Sequence, residues 1–491
     1  MGKPRAAPAA LALAAMLGGC AAPPADETAA TPPVSADWPA DTGAAGAAPG
    51  AAPAAAVSWQ RYFADAQLRS LIALALANSR DLRAAVLRVR EARARYGVQR
   101  ADRFPGVSAD GQAARSRTPG DLNESGRAVT GGEYRVEAGL AAWELDLWGR
   151  VASLSEAALQ EYLASASARR AARVALIAEV ADGYLNLRAL DERIDLAGQT
   201  LRSREASQRI FARRTELGAT SRLELAQVET LLLQARALAA QLEQERAAQA
   251  HALSLLAGAP VDIPRAAHAR LADEAVFASL DAGLPADLLA NRPDIEAAER
   301  RLAASRASVR AARAAFFPRI ALTGAWGTAS AELDGLFDAG SRAWSFVPTI
   351  SLPIFDGGRR RANLDLAQAR SELAVADYER TIQQAFREVS DALSAGQWLG
   401  RQVAVQRETL AVQAERARLA QLRYDSGAAA YLEVLDAQRD LLQAQQQLVQ
   451  LRRELLASRV SLYAALGGGA PDDDEAAGAT PAYQGESVSW R

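Results

Sequence analysis

The chain has 491 residues, half of them hydrophobic and only 6% aromatic, with a formal net charge of −2. Near-neutrality without a basic block gives no reason to expect a nucleic-acid partner, and a single cysteine, Cys20, excludes an internal disulfide. A composition dominated by Ala, Leu, Arg, Gln and Glu, with long periodic stretches, points to extended helices.

At the N-terminus Lys3 and Arg5 precede a short apolar run ending Leu17-Gly18-Gly19-Cys20. A charged start, a short hydrophobic segment and a small-residue end describe an export signal over 1–19, too short for a stable transmembrane span. Leu-Gly-Gly-Cys resembles the bacterial lipobox, in which the cysteine is acylated and becomes the first mature residue. Cys20 is therefore the expected lipidation site, against the plainer reading of a cysteine lost with its signal. Ala21 follows where the usual inner-membrane retention signal would have Asp. Residues 20–58, rich in Pro, Ala and Gly, read as the lipidated N-terminus and a flexible tether.

The rest is a duplication. Ala77-Asn-Ser-Arg-Asp-Leu-Arg-Ala-Ala aligns with Ala290-Asn-Arg-Pro-Asp-Ile-Glu-Ala-Ala at an offset of 213, through Phe104-Pro105 and Phe317-Pro318 to Gly111 and Gly324. Gly149-Arg150, Glu179-Val180, Gly218 and Leu223-Glu224 then match Gly358-Arg359, Glu388-Val389, Gly427 and Leu432-Glu433 at an offset of 209. The units are assigned as 59–258 and 286–469, with a connector over 259–285 and a tail over 470–491 whose Asp472-Asp-Asp-Glu475 run is solvated. Because the offset changes between Gly111 and Gly149, that interval should hold an exposed loop.

Each unit reads alike. A helix over about 81–103 stops at Phe104-Pro105, since proline resists continuation. In Tyr134 to Leu145 the residues Tyr134, Val136, Ala138 and Leu140 alternate with Arg135, Glu137, Gly139 and Ala141. In the second copy Trp344, Phe346, Ile350, Leu352 and Ile354 alternate with Ser345, Thr349 and Ser351. Period two indicates a sheet with one apolar and one polar face. Partner strands start near Val107 and Ile320, and loops Thr118 to Gly132 and Ala331 to Ala343 separate the members of each pair. From Arg150 to Leu217 no proline occurs, and apolar residues fall at Ile177, Val180, Tyr184, Leu187, Ile194 and Leu201. After Gly218 a further helix carries a seam at Leu225, Val228, Leu232, Ala235, Ala239 and Leu242, repeated as Val434, Ala437, Leu441, Ala444, Leu448 and Leu451.

A helix over 150–217 spans about 100 Å. The two shorter helices of a unit add to nearly the same length and can stack end to end beside it, so the chain supplies four helix-thick columns. Four strands cannot close into a barrel, and an open sheet in a bilayer leaves costly unpaired edge groups. Strands that enter a membrane must therefore be shared among several chains around water.

The two-fold repeat, Trp143-Glu-Leu-Asp-Leu-Trp-Gly-Arg150, Leu352-Pro-Ile-Phe-Asp-Gly-Gly-Arg359, the Gly427-Ala-Ala-Ala-Tyr-Leu-Glu-Val-Leu-Asp-Ala-Gln run and Leu466-Gly467-Gly468 resemble the TolC-like outer-membrane efflux proteins. The lipobox is similar to that of the lipoprotein branch serving RND multidrug pumps. The resemblance implies a mainly α fold with a small β part: a homotrimer in which four strands per chain make a twelve-stranded transmembrane barrel above a twelve-helix periplasmic tunnel. It further implies an equatorial belt from segments such as 59–76, 259–285 and the tail after 466, a periplasmic adaptor and an RND-type inner-membrane pump as partners, and outer-membrane lipid around the barrel. Pro348 and Pro353 are unexpected in or beside a strand.

No catalytic, metal or cofactor constellation stands out. His251 and His268, the only histidines, read as solvated or packed residues without a second ligand type. Interest moves to the helix turns Gly218-Ala219-Thr220-Ser221 and Gly427-Ala428-Ala429-Ala430, where glycine ends a helix. As plain αα-hairpin turns they need no role; by resemblance they are the tips that meet the adaptor. Leu432 and Asp436 fall off the seam of their helix, toward pore or solvent. By resemblance they form rings closing the tunnel mouth, with Leu223 and Gln227 as first-copy counterparts, and Arg423 and Tyr424 latch it. Three converging carboxylates would have raised pKa values. The expected function is passive export of small toxic compounds; a duct for secreted protein or metal ions, or a lipid-anchored coiled-coil scaffold without a pore, are the alternatives. Replacing Cys20 by Ala is expected to abolish labelling of the protein by radioactive palmitate, while labelling that persists would refute the anchor.

Overall fold

The computed structural model describes residues 57–265 and 287–469, with 38, 52, 53, 277, 280, 281 and 283 besides. Cys20, His268 and residues 470–491 lie outside them. In chain order the elements are β1 (Ala52–Pro53), α1 (Trp59–Tyr62), α2 (Ala66–Asn78), α3 (Arg80–Ala101), β2 (Val107–Thr118), β3 (Val129–Glu144), α4 (Arg150–Glu216) and α5 (Arg222–Ala257). They continue with β4 (Leu280–Asp281), α6 (Asp287–Asn291), α7 (Pro293–Ala314), β5 (Arg319–Ser330), β6 (Arg342–Ser351), α8 (Arg359–Asp425) and α9 (Tyr431–Ala465). Local chemistry sets many of these bounds. The Asp65 carboxylate accepts from the first N–H groups of α2, the Ser79 hydroxyl accepts from Leu82 N in α3, and Pro293 opens α7 where its missing N–H costs nothing.

α4 and α8 each have 67 residues, about 100 Å of helix. α3 and α5 both pack on α4, and α7 and α9 both pack on α8, as the length argument requires. α7 and α9 also pack on α4, so the helical layer runs in the order α3/α5, α4, α7/α9, α8. The expected seams are buried: Ile177, Val180, Tyr184 and Leu187 on α4, Val228, Leu232 and Leu242 on α5, Val434 and Ala437 on α9. α8 keeps an apolar row on its free side, Trp398, Val405, Val412 and Leu419, one residue every seven and each about half exposed or more. A seven-residue apolar repeat is the surface that a further helix packs against.

The four long strands form one antiparallel sheet in the order β2-β3-β5-β6. Register puts Val107, Ala109, Gly111 and Ala113 of β2 on one face with Tyr134, Val136, Ala138 and Leu140 of β3, and with Ile320, Leu322, Gly324 and Trp326 of β5. Trp344, Phe346, Pro348 and Ile350 of β6 complete that face. The other face carries Ser108, Asp110, Gln112, Glu133, Arg135, Glu137, Thr323, Ser345 and Thr349. Between Leu140 and Trp143 the strand bulges: Ala141 and Ala142 oppose one residue, and Ala142 takes a φ of 45°. The extra residue shifts the phase and brings Trp143 onto the apolar face. β6 ends at Ser351, so Leu352 and Ile354, expected to continue its alternation, lie beyond the strand with Pro353. Pro348 sits in β6 opposite Leu322 of β5, and β5 is its only strand partner within the chain. β3 begins at Val129, so the loop before it is shorter than expected from the sequence.

Where sheet meets helix, the Trp143–Arg150 motif acquires a physical role. Glu144 receives two 2.8 Å hydrogen bonds from Arg150 and one ion pair from Arg319. Asp146 accepts from Ala152 N in the first turn of α4, and Trp148 stacks on Phe317 while its N–H donates to Pro318 O. In the second copy Asp356 accepts from the N–H of Gly358 and of Arg360 at the start of α8.

The largest apolar core lies around the far ends of α5 and α9. There Tyr62 stacks on Tyr463 with centroids 4.5 Å apart, and Phe63, Leu68, Ile72, Leu187 and Leu253 are fully buried. The duplication is visible in atoms. A Cβ on Gly258 would strike the carbonyl of Asn78, and one on Gly467 the carbonyl of Asn291. A Cβ on Gly327 would run into the Val136 carbonyl and the Glu137 backbone across the sheet. Gly327→Ala is expected to weaken the β3–β5 pairing by about 1–3 kcal/mol, read as a lower melting temperature of the β signal in circular dichroism.

Candidate functional site

Each long helix ends in the same turn. Gly218 and Gly427 adopt φ of 68° and 76°, the left-handed region that only glycine enters freely. Ala219 N donates to Arg214 O at 2.7 Å and Gly218 N to Thr215 O at 3.0 Å. Ala428 N to Arg423 O at 2.8 Å and Gly427 N to Tyr424 O at 2.9 Å repeat the pattern. These paired bonds satisfy the last helical carbonyls and reverse the chain. Gly218, Ala219, Ser221, Gly427, Ala428 and Ala430 are exposed, and Thr220 and Ala429 are half-buried.

The two turns differ in their second halves. Ser221 caps α5 through its hydroxyl, and Glu224 closes the box by accepting from Ser221 N at 3.0 Å and from the Thr220 hydroxyl. The bond from Thr220, then that from Ser221 N, holds the Glu224 carboxyl below its ordinary pKa. In the second copy Ala430 offers no side-chain cap. Glu433, the counterpart of Glu224, is free to pair with Arg423 at 2.8 Å instead.

Tyr424 looks the other way, to the first hairpin. Its hydroxyl accepts from Arg214 at 2.6 Å, and its ring lies 4.8 Å from that of Tyr431. Tyr431 in turn packs 4.5 Å from Phe211 and hydrogen-bonds Ser207. Phe211, Val228 and Leu435 are buried together, joining α4, α5 and α9 just behind the turns. The two expected latch residues therefore serve different bonds: Arg423 within one hairpin, Tyr424 between the two. Arg214, Phe211, Tyr431 and Leu435 complete this junction and were not evident in the sequence. The only signal was an aromatic ahead of each break, Phe211 two turns before Gly218 and Tyr424 one turn before Gly427, too weak to pair the residues.

Of the expected mouth residues, Leu223 and Leu432 are exposed, and Gln227 and Asp436 are half-buried. Asp436 pairs with Arg439 at 3.2 Å, and Arg439 also reaches Asp440, itself held by Arg416 at 2.7 Å. The hydrogen bond from Arg416 keeps the Asp440 carboxyl below its usual range. Nearby, Arg204 is buried, its one hydrogen bond going to Leu435 O at 3.3 Å, and its burial and Arg439 both lower its pKa. His251 lies exposed on α5. This end of the molecule offers hydrogen bonding and charge at exposed turns, and no arrangement of nucleophile, base or ligand set among the described residues.

The chain matches the outer membrane efflux protein family over residues 71–259 and 284–468. It belongs to that family. Outer membrane protein OprJ of Pseudomonas aeruginosa is 45% identical over 472 residues, 96% of this chain and 97% of the relative. The toluene efflux pump outer membrane protein TtgI of Pseudomonas putida is 43% identical, covering 92% of this chain and 96% of that protein. Among solved structures, a membrane protein from Pseudomonas aeruginosa superposes with a TM-score of 0.80 at 43% identity, covering 92% of this chain and 98% of the other. The open state of the Neisseria gonorrhoeae MtrE outer membrane channel gives 0.77 at 37%, covering 85% and 92%. The protein is thus an outer-membrane component of efflux, with a transport role.

At the turns, Gly427→Ala must place a Cβ at positive φ and is expected to cost about 1–2 kcal/mol locally. Amide hydrogen exchange at 423–432 should accelerate accordingly; unchanged exchange would show that the left-handed turn does not hold the hairpin.

Proposed function

We propose that the chain is the exit duct of a tripartite efflux system: a homotrimer passing small toxic compounds across the outer membrane without doing chemistry on them. The observation that carries this reading is a sheet with one apolar and one polar face whose outer strands, β2 and β6, each leave an edge unpaired. Three copies placed edge to edge make a closed twelve-stranded wall, apolar toward lipid and polar toward water. The helical layer supports the same symmetry, since its free flanks are α3/α5 on one side and the apolar row of α8 on the other. The toluene, solvent and antibiotic efflux named for the relatives makes small apolar or amphipathic molecules the favoured cargo.

In this reading the exported protein is acylated at Cys20 and tethered through 20–58. Repeats 59–258 and 286–469 are joined by the 259–285 connector and followed by the 470–491 tail. The turns at 218–221 and 427–430 meet a periplasmic adaptor carried by an RND-type inner-membrane pump. Leu432 and Asp436, with Leu223 and Gln227, line the narrowed mouth. Arg423 and Tyr424 hold its closed form through Glu433 and Arg214. Asp436 brings Arg439 with it, so the three-fold ring consists of ion pairs, which tempers the mutual repulsion expected of bare carboxylates.

Planar bilayers test both levels. The purified protein should run as a heat-stable trimer and conduct ions, whereas a helical monomer without conductance would fit only the scaffold alternative. Asp436→Ala should raise the conductance of the closed channel several-fold, and an unchanged value removes Asp436 from the mouth.

A further inference from the structure

Charge is sorted between the two faces of the sheet. All strand carboxylates above the helix junction, Asp110, Glu133 and Glu137, share the polar face, where Arg135 pairs with both glutamates. The apolar face carries three charged residues: Arg115 and Arg117 near the loop end of β2, and Arg342 at the first position of β6. Register fixes this. Arg115 and Arg117 continue the phase of Val107, Ala109, Gly111 and Ala113, and Arg342 that of Trp344, Phe346 and Ile350. All three are exposed, and no carboxylate among the described residues pairs with them. One outward step toward the helices, Trp344 stands opposite Trp326, as aromatic residues do at the rim of a bilayer. The helix end of the same face, Val107, Leu140, Trp143, Ile320 and Ile350, has no charge.

We infer that Arg115, Arg117 and Arg342 form a binding band for the phosphorylated headgroups of anionic lipids in the outer leaflet. The inference rests on the trimeric-barrel reading, because it needs the apolar face to meet lipid. In that trimer β6 of one copy lies beside β2 of the next. Arg342 then joins the neighbour's Arg115 and Arg117 at each of the three seams, so every site is built from two copies. Planar guanidinium groups match phosphate oxygens in pairs. The loops beyond the strands carry five carboxylates, Asp121, Glu124, Glu332, Asp334 and Asp338, against one arginine, Arg127. These carboxylates repel a soluble anion arriving from the medium, whereas a headgroup anchored in the bilayer comes to the arginines from the side. A lipid phosphate is therefore favoured over free phosphate. Bound lipid would also bridge neighbouring copies at the seams.

The test uses the assembled trimer in neutral detergent, titrated with diphosphorylated lipid A and, separately, with the same lipid dephosphorylated. Binding is read by native mass spectrometry, and seam stability by the temperature at which the trimer falls to monomer on a gel. The wild-type trimer should prefer the phosphorylated lipid, dissociate at higher temperature with it bound, and lose the preference as salt rises. At about fivefold for each basic residue at an anionic surface, R115Q/R117Q/R342Q should weaken binding on the order of a hundredfold. R115K/R117K/R342K should recover part of it. Equal binding of both lipids by a wild-type trimer that still conducts overturns this inference and leaves the channel reading intact. So does equal stabilisation by inorganic phosphate at the same concentration. A wild-type chain that forms no trimer in any lipid overturns both.

Discussion

A backbone hydrogen-bond group cannot be left bare in hydrocarbon, and this constraint organises the whole molecule. The sheet of β2, β3, β5 and β6 has an apolar face fit for lipid, yet it ends on both sides in unpaired strands. One chain can satisfy the interior pairings but not the edges. The only economical remedy is another copy of the same edges, which turns a flat fragment into a wall around water. The helical layer obeys the same rule in a different currency: its free flank on α8 exposes a seven-residue apolar row that only a further helix can cover. Sheet and helices are both unfinished at their lateral margins, so one symmetry operation completes both.

The duplication explains how one chain spans so great a length without a large globular core. Two 67-residue helices set the span, and shorter helices stacked in pairs match it. Each repeat is then locked at its ends by small, specific devices. Glycine admits the closing helix onto Asn78 or Asn291, and a left-handed glycine reverses each hairpin. At Gly258 and Gly467, at Asn78 and Asn291, and at Gly218 and Gly427 the two copies keep the same residue. The tips, where demands differ, have diverged. The first hairpin spends its glutamate on a capping box, while the second loses the cap and frees Glu433 for Arg423. Charge at Asp436, Arg439 and Asp440 likewise belongs to the second copy alone, Gln227, Thr230 and Leu231 standing at the matching positions of the first. Six hairpins around a three-fold axis would therefore alternate between a tip whose glutamate closes a capping box and one whose glutamate pairs with an arginine.

Much of the fold was legible before any coordinates. The helix breaks at Gly218 and Gly427 follow from glycine's freedom at positive φ, the strands from alternation, and the seams from intervals of three and four. What escaped was the bulge at Ala141-Ala142, because an extra residue that shifts phase looks like an ordinary apolar run. The strand end at Ser351 escaped too, since Leu352 and Ile354 keep the alternation after the pairing has stopped. At the candidate mouth, the sequence singled out Leu432, Asp436, Arg423 and Tyr424 but not their partners. Arg214 and Tyr424 are 210 residues apart, and no local rule joins them.

The sequence by itself determined the long helices, the existence of the strands and their repetition, because these depend on backbone preferences and on spacing along one chain. It also determined that the sheet has two unlike faces. Only the tertiary structure decided which strands are outermost, which arginines point away from every carboxylate, and which side chains tie one hairpin to the other. Those are properties of register and of packing between distant segments, and a spacing rule that looks along one helix or one strand does not contain them.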